Sequence, residues 1–222
     1  MLDAVIFDMD GLLIDSEHLW DQATIEVFDA VGINYSAEYF QETMGMRVDL
    51  IFAGWYEREP WPGPSVAEVM DLIVERVVGL IEERGEAMPG AVETVTFFKE
   101  RSIPIGIASS SPCTVIEANI AALGIADCLD AVSSAADEAY GKPHPAVYIR
   151  TAEKLGVPAR RCLVFEDAIL GVVAAKAAEA TCICVPDAAI AGDKRLGISD
   201  HVLPSLNDFD ELLWQSLNDG RR

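Results

Sequence analysis

The feature that most restricts the fold is the alternation of short apolar runs with helical segments from residue 89 onward. The strand-like runs occupy residues 103–109, 129–133, 162–166, 181–185 and 201–203. Segments of helical periodicity flank them and cover residues 91–101, 112–123, 145–155, 171–178 and 210–215. Strands that alternate with helices form parallel βαβ units, with helices on both faces of the sheet. The alternation therefore predicts an α/β fold built on a doubly wound parallel sheet.

A stretch without strands interrupts this alternation near the N-terminus. Residues 4–8 form one more strand-like run, but residues 17–84 contain no convincing strand. Helical periodicity covers residues 17–31, and a second amphipathic helix follows a capping box made by Ser65 and Glu68. Between these helices, the segment GWYEREPWPGP is rich in Gly, Pro and Trp, which predicts an irregular loop.

The interruption sets the domain boundaries. We predict a Rossmann-like core domain formed by residues 1–16 and 89–222, with an all-helical cap domain at residues 17–88 inserted after the first strand. A single capped core also predicts a monomer.

Composition narrows the classes of partner. The formal net charge of −21 argues against binding to nucleic acid or to an anionic membrane surface. The apolar runs are shorter than the roughly 20 residues that span a bilayer, and no basic-then-apolar leader begins the chain, so a cytoplasmic protein is expected. Five cysteines without a CxxC pair and only three histidines give no support to a zinc site.

Polar residues recur where the predicted strands end. In open parallel sheets, ligands bind beyond the carboxyl ends of the strands. Each residue also has a structural explanation, because Asp is common in turns and Ser111 before Pro112 suits a helix N-terminus. Their convergence on one edge nevertheless predicts a functional site. The residues expected there are Asp8, Asp10, Ser109, Ser110, Lys142, Glu166 and Asp167.

These residue types suit a divalent cation and a phosphoryl group. Asp8, Asp10 and Asp167 offer the hard oxygen ligands that Mg²⁺ prefers. Lys142 and the Ser109 hydroxyl can donate to phosphate oxygens. A carboxylate that the metal does not fully engage can attack phosphorus, and a neighbouring acid can protonate the leaving oxygen.

Four motifs, in this order and spacing, resemble those of the haloacid dehalogenase-like hydrolase superfamily: DMDGLLIDSE, IASSS, GKPHP and FEDAILGVVAAKAA. The helical insert is similar to the cap of the β-phosphoglucomutase and sugar-phosphatase group. Its segments LWDQATIEVFDAVGI, GMR and WYEREPWPGPS resemble those of bacterial 2-deoxyglucose-6-phosphatases and hexitol phosphatases.

The resemblance implies roles for the core residues. Asp8 would be the nucleophile and a metal ligand, and Asp10 the general acid and base, with its main-chain carbonyl on the metal. Ser109 and Lys142 would hold the phosphoryl group, and Asp167 would bind Mg²⁺.

The resemblance also implies roles for the residues around this centre. Glu166 would contact the metal directly or through another ligand, and Ser110 would lie at the phosphate site. Arg47 would face the substrate from the cap, although it could be an ordinary surface arginine. Glu17 and Trp20 would face the cleft, although Trp20 also suits a helix core.

The function expected from these residues is Mg²⁺-dependent hydrolysis of a small phosphorylated metabolite through an aspartyl-phosphate. Sugar or sugar-alcohol phosphates are the expected class, such as hexose 6-phosphate, 2-deoxyglucose 6-phosphate or hexitol phosphate. A phosphosugar mutase is an alternative, but related mutases have a histidine where this chain has Trp20. A catalytically impaired phosphate-binding protein is another, because apolar residues at 168–170 replace polar ones that relatives often have.

Overall fold

The computed structural model describes residues 1–43 and 45–219 and contains one parallel sheet. Its six strands are β1 (Ala4–Phe7), β2 (Ile105–Ser109), β3 (Ala131–Ser134), β4 (Cys162–Glu166), β5 (Thr181–Cys184) and β6 (His201–Val202). They lie in the order β3-β2-β1-β4-β5-β6, and each adjacent pair is parallel. This order places β1 between β2 and β4, so that the carboxyl ends of these three strands are neighbours.

Helices account for much of the remaining described chain. Their bounds are α1 (Glu17–Val31), α2 (Ala37–Glu42), α3 (Val48–Arg58), α4 (Val66–Arg84), α5 (Ala91–Glu100), α6 (Cys113–Leu123), α7 (Ala146–Lys154), α8 (Ile169–Ala177) and α9 (Glu211–Asp219). In the described residues, no helix is both long enough and apolar enough to cross a bilayer.

Both faces of the sheet are covered by helices. In β1, Val5 and Phe7 belong to one apolar cluster, which includes residues of α5 and α6. Ala4 and Ile6 belong to the opposite cluster, with residues of α7 and α8. All four side chains are fully buried. A strand buried on both faces is apolar at every position rather than at alternate ones. The doubly wound α/β fold predicted from the sequence is confirmed.

The segment between β1 and α5 folds as four helices, and its described residues contain no extended strand. Helix α1 packs against α4. Phe28, Phe40 and Phe52 come from three different helices of this segment and lie with ring centroids 5.8–6.0 Å apart. The predicted capping box is present, because the Ser65 hydroxyl accepts from the Glu68 N–H and the Glu68 carboxylate accepts from the Ser65 N–H.

The loop predicted for GWYEREPWPGP is partly wrong. Helix α3 extends through Arg58, so residues 54–58 are helical. Phe52 and Trp55 are buried at helical spacing, and their burial outweighs the low helix propensity of Gly54. Helix α2 was also not predicted. Most other boundaries move by one or two residues, as for the strand expected at 129–133 and found at Ala131–Ser134. The last helix, expected at 210–215, extends further and is found at Glu211–Asp219.

Candidate active site

The predicted residues at the strand ends do come together. Asp8 directly follows β1, and its N–H donates to the Phe165 carbonyl of β4 at 3.0 Å. Glu166 ends β4, Asp167 follows it, and Ser109 ends β2. Because β1 lies between β2 and β4, these side chains share one edge of the sheet, as the sequence predicts.

Lys142 lies at the centre of this edge and is almost fully buried. Its Nζ is 2.9 Å from Asp8 Oδ1 and 2.6 Å from Glu166 Oε1. A buried ammonium group requires such partners, because an unpaired charge is costly to desolvate. Burial alone would lower the pKa of Lys142, but the charges of Asp8 and Glu166 outweigh it and hold that pKa above its ordinary value.

Glu166 holds Lys142 in place and uses both of its carboxylate oxygens. Oε1 accepts from Lys142 and from the Tyr148 hydroxyl, and Oε2 accepts from the N–H groups of Asp167 and Ala168 at 3.0 and 3.1 Å. The side chain is fully buried. Both oxygens are therefore engaged with protein donors. This favours contact with a metal through another ligand over direct coordination by Glu166.

Burial also affects the two aspartates beside this pair. It raises the pKa of Asp8 to about 8, and the charge of Glu166 adds to this effect while Lys142 opposes it. Burial and the neighbouring carboxylates raise the pKa of Asp167 well above its usual range. Three carboxyl groups thus share one buried region with one lysine, so the protein alone cannot compensate their charges when all three are ionised.

The donor set fits a hard divalent cation. Asp8, Glu166 and Asp167 each offer a carboxylate oxygen within 4.8 Å of the others. Asp167 Oδ1 is buried without a hydrogen-bond partner among the described residues. A carboxylate oxygen that has no protein partner and lies close to other carboxylates is a typical ligand of Mg²⁺.

The approach of Asp167 to the loop after β1 requires a glycine. A Cβ atom at Gly11 would lie 2.4 Å from Asp167 Oδ2, and Gly11 has a φ of +75°, which side-chain-bearing residues rarely adopt. Gly11 therefore lets the loop that carries Asp10 pass close to the carboxylate of Asp167.

Asp10 is half-buried, and a ring of five donors surrounds its carboxylate. We call this set the Asp10 cradle: Ser16, Trp20, Ser109, Ser111 and Asn119. The shortest bonds are those from the Ser16 and Ser111 hydroxyls, both at 2.7 Å, and Asn119 Nδ2 donates at 3.2 Å. Trp20 Nε1 and Ser109 Oγ are each 3.4 Å away. Trp20, predicted to face the cleft, thus contacts Asp10 directly.

A cavity lies between this edge of the sheet and the helical segment. Its floor includes Asp8, Asp10, Ser109, Ser110, Ser111 and Asp167, and its opposite wall includes Glu17, Trp20, Asp21, Thr24, Phe40, Gly45, Met46, Val48, Ile51 and Phe52. Burial raises the pKa of Glu17 to about 7, and the charged neighbours that raise it further are all carboxylates, with Asp10 foremost. Glu17 thus lines the cavity as the sequence predicts.

Arg47 has a different environment from the one expected. Its Nε and Nη2 donate to Asp49 at 2.9 and 2.7 Å, and its Nη1 donates to the Glu138 carbonyl at 2.7 Å. It is not among the residues that line the cavity. In this structure Arg47 ties the helical segment to the loop before Lys142, and its contact with a substrate stays a prediction.

Ser110 and the apolar residues of the fourth motif also contact the helical segment. The Ser110 hydroxyl donates to the Gly45 carbonyl at 2.8 Å. A Cβ atom at Gly45 would lie 3.0 Å from the Ala168 Cβ and 3.9 Å from the Leu170 Cβ. Ala168 and Leu170 therefore meet the backbone of the loop around Gly45, which gives these departures from the family pattern a packing role.

Three residues of the site were missed in the sequence. Tyr148 is fully buried and donates to Glu166, and its position on α7 gave no signal beyond an aromatic residue in a helix. Ser16 lies in the segment DMDGLLIDSE and could have been found from that motif. Asn119 is in the middle of α6, far from any motif, and only its polarity on a buried helix face could have indicated it.

Comparison with known proteins identifies the family. A sequence model of the haloacid dehalogenase-like hydrolases matches residues 2–179. The chain belongs to the haloacid dehalogenase-like hydrolase family. Hexitol phosphatase B of Escherichia coli (strain K12) is 41% identical over 207 residues, which are 93% of this chain and 93% of that protein. The phosphorylated carbohydrates phosphatase of Thermotoga maritima is 30% identical over 185 residues, or 80% of this chain and 82% of that protein.

A solved structure supports the same assignment. CbbY from Rhodobacter sphaeroides, crystallised in complex with phosphate, superposes with a TM-score of 0.86 at 27% sequence identity. The match covers 94% of this chain and 96% of that one. The family and the resemblance to hexitol phosphatases predicted from the motifs are confirmed. The chain is therefore an enzyme, a phosphatase of the haloacid dehalogenase-like hydrolase family.

Proposed function

We propose that this enzyme hydrolyses phosphomonoesters of small sugars or sugar alcohols in a Mg²⁺-dependent reaction, with Asp8 as the nucleophile. The observation that carries the proposal is the buried pairing of Asp8 with Lys142, beside the unpartnered Asp167 oxygen and at the floor of a cavity. Asp8 and Asp167 would hold the Mg²⁺. The bound ion supplies positive charge that offsets the carboxylates and the phosphoryl oxygens.

The side chains then divide the chemistry. An Asp8 oxygen forms a bond to phosphorus as the bond from phosphorus to the leaving oxygen breaks, which gives an aspartyl-phosphate. Asp10 gives its proton to the leaving oxygen, and it later accepts a proton from the water that attacks phosphorus and releases Asp8. Lys142 offsets the charge on Asp8 and on the phosphoryl group, to which Ser109 donates a hydrogen bond.

The cavity wall supports a polyhydroxylated leaving group. Glu17, Asp21 and Thr24 lie on one face of α1 and offer acceptors for hydroxyl groups. Phe40 and Phe52 line the same cavity with apolar surface that suits the C–H groups of a carbon chain. Among the described residues of this wall there is no lysine or arginine. A neutral sugar or polyol, like the hexitol of the relative's name, fits such a wall.

We also infer the domain arrangement from this cavity. Residues 17–88 would act as a cap over a core formed by residues 1–16 and 89–222, since the cavity separates the two sets of lining residues. A monomeric state and a cytoplasmic location stay predictions from the sequence.

The test is phosphate release from a hexitol monophosphate with Mg²⁺ and with EDTA. We expect release that EDTA abolishes and that Asp8→Asn abolishes, whereas the matched variant Asp29→Asn, which removes an exposed carboxylate on α1, should keep it. EDTA-resistant or absent release from folded protein would instead favour the impaired binding protein. Conversion of a β-hexose 1-phosphate to its 6-phosphate, without free phosphate, would favour the mutase.

A further inference from the structure

The strongest observation outside the motifs is a buried amide in α6. Asn119 has no exposed surface, and its Nδ2 donates to Asp10 Oδ1 at 3.2 Å. Its own Oδ1 is buried and has no hydrogen-bond partner among the described residues. Exchanging the two amide atoms would not help, because it would place the amide oxygen against a carboxylate oxygen.

Asn119 is therefore an unfavourable residue for stability at its position. A buried amide oxygen without a partner loses its hydration and gains nothing in return. Asparagine is also a poorer helix former than leucine. The buried neighbours Val115 and Ile116 on the same helix belong to the apolar cluster, so an apolar side chain would suit this layer. A residue that conflicts with its surroundings in this way points to a functional requirement.

The requirement is visible in the Asp10 cradle. Three of its five donors are serine hydroxyls, which can rotate towards other acceptors. Trp20 lies in the helical segment and donates over a longer distance of 3.4 Å. Asn119 differs from all of these, because its amide is planar and is enclosed by the core around α6. It is the cradle member whose donor is a planar amide that is fully buried and does not line the cavity, so its direction is fixed independently of the substrate.

We infer that Asn119 is a positioning residue, which holds the Asp10 carboxylate in the orientation from which it serves the leaving oxygen. The inference rests on the proposed function, because it gives Asn119 a role only through Asp10. Asn119 itself touches neither the cavity nor the acidic cluster, since it is absent from both sets of residues. Substitution of Asn119 should therefore slow the reactions in which the leaving group needs a proton, and it should not weaken the binding of phosphate.

The test compares two leaving groups. A hexitol alkoxide must be protonated as it leaves, whereas p-nitrophenolate leaves without a proton. We expect Asn119→Leu to lower kcat/KM for a hexitol monophosphate roughly tenfold. For p-nitrophenyl phosphate we expect a change in kcat/KM within about twofold, since kcat/KM reports the steps up to departure of the leaving group and not the later hydrolysis, in which Asp10 acts as base for both substrates. The melting temperature should stay the same or rise, because the unpartnered oxygen is removed. Asn119→Ala, which cannot overpack the layer, should show the same split if the leucine variant fails to fold.

Two further measurements separate this role from a merely structural one. In an Asp10→Asn background, Asn119→Leu should have no additional effect, since the two residues act as a unit. Ser133→Ala is the matched control, because it also removes a buried hydroxyl without a partner but is not a donor to Asp10. It should leave both substrates unaffected.

The outcomes distinguish failure of the inference from failure of the proposed function. Equal losses of kcat/KM on both substrates, or losses that add to those of Asp10→Asn, would overturn the positioning role. So would a hexitol activity that Asn119→Leu leaves unchanged while Asp10→Asn reduces it. If the wild-type protein released phosphate from neither substrate, the proposed function itself would fail.

Discussion

Raising the pH without Mg²⁺ should destabilise this protein through its buried acidic cluster. Asp8 has its pKa raised by burial from 3.8 to about 8. A carboxyl group with a raised pKa binds more protons in the folded than in the unfolded state between these two pH values. The free energy of unfolding must therefore fall as the pH rises from about 4 to about 8, and it should level off above that. Asp167, whose pKa is raised for the same main reason, acts in the same direction.

The size of the effect follows from the shift of Asp8. Each pKa unit corresponds to about 1.4 kcal/mol, so the three units between pH 5 and pH 8 amount to roughly 4 kcal/mol. For a chain of this length, 1 kcal/mol moves the melting temperature by about 2–4 °C. We therefore expect a fall of roughly 10 °C from pH 5 to pH 8 in EDTA. At pH 8, Mg²⁺ at about 100 times its dissociation constant should raise the free energy of unfolding by about 2.7 kcal/mol.

Thermal unfolding between pH 5 and pH 8, with EDTA or Mg²⁺, measures both effects. Asp167→Asn removes one buried charge, so it should flatten the pH dependence in EDTA and lose most of the stabilisation by Mg²⁺. The matched variant Asp29→Asn removes an exposed charge from α1 and should keep both. A melting temperature in EDTA that stays constant or rises over this range would refute the reasoning, as would equal Mg²⁺ stabilisation of all three proteins.

Two other substitutions probe the charges around the substrate. Lys142→Met should abolish phosphate release and lower the free energy of unfolding by about 3–5 kcal/mol, because it leaves Asp8 without its buried partner. Denaturant titration measures the loss of stability. As a control, Lys176→Met breaks a half-exposed ion pair and should lower the free energy of unfolding by less than about 1 kcal/mol. The ratio of kcat/KM for a hexitol monophosphate to that for a hexitol bisphosphate should fall about tenfold in Glu17→Gln. The substitution removes a carboxylate that repels the second phosphate. With a pKa of about 7, Glu17 gains its charge as the pH rises through 7, so the wild-type preference should increase over that range and the variant's preference should not; an unchanged ratio at pH 8 would exclude this role for Glu17.

The fold was predictable because its signals are local and repeated. A fully apolar run such as β1, followed by a change to helical periodicity, can mean little else than a buried parallel strand and its crossover helix. The helices α2 and α3 lacked such signals. Gly54 and the tryptophans around it are typical of a loop. The helical state of residues 54–58 depends instead on packing of α3 against distant rings, with Phe52 against Phe28 and Trp55 against Phe40.

The sequence predicted which residues of the site lie close together, but it did not predict their hydrogen-bond and ion-pair partners. Strand ends bring Asp8, Glu166 and Asp167 to one edge whatever their detailed contacts. Whether a carboxylate is free for a metal depends on its other donors, and the four donors to Glu166 include Tyr148, which no motif indicates. The direction of Arg47 likewise depends on the local acceptor Asp49 and on a loop carbonyl, neither of which the motif carries.

The distribution of unsatisfied groups connects stability with function in this molecule. Among the described residues, the buried side-chain polar atoms without a partner are Asn119 Oδ1, Asp167 Oδ1 and Ser133 Oγ. Two of these three atoms belong to residues around Asp8 and Asp10, and the same region holds carboxylates with raised pKa values. A core selected for stability alone would replace such groups with apolar ones. The two atoms at this edge of the sheet have different explanations. Asp167 Oδ1 is left free for the cation that we propose, whereas Asn119 Oδ1 stays unpaired because the amide nitrogen of the same side chain donates to Asp10 in the role that we infer.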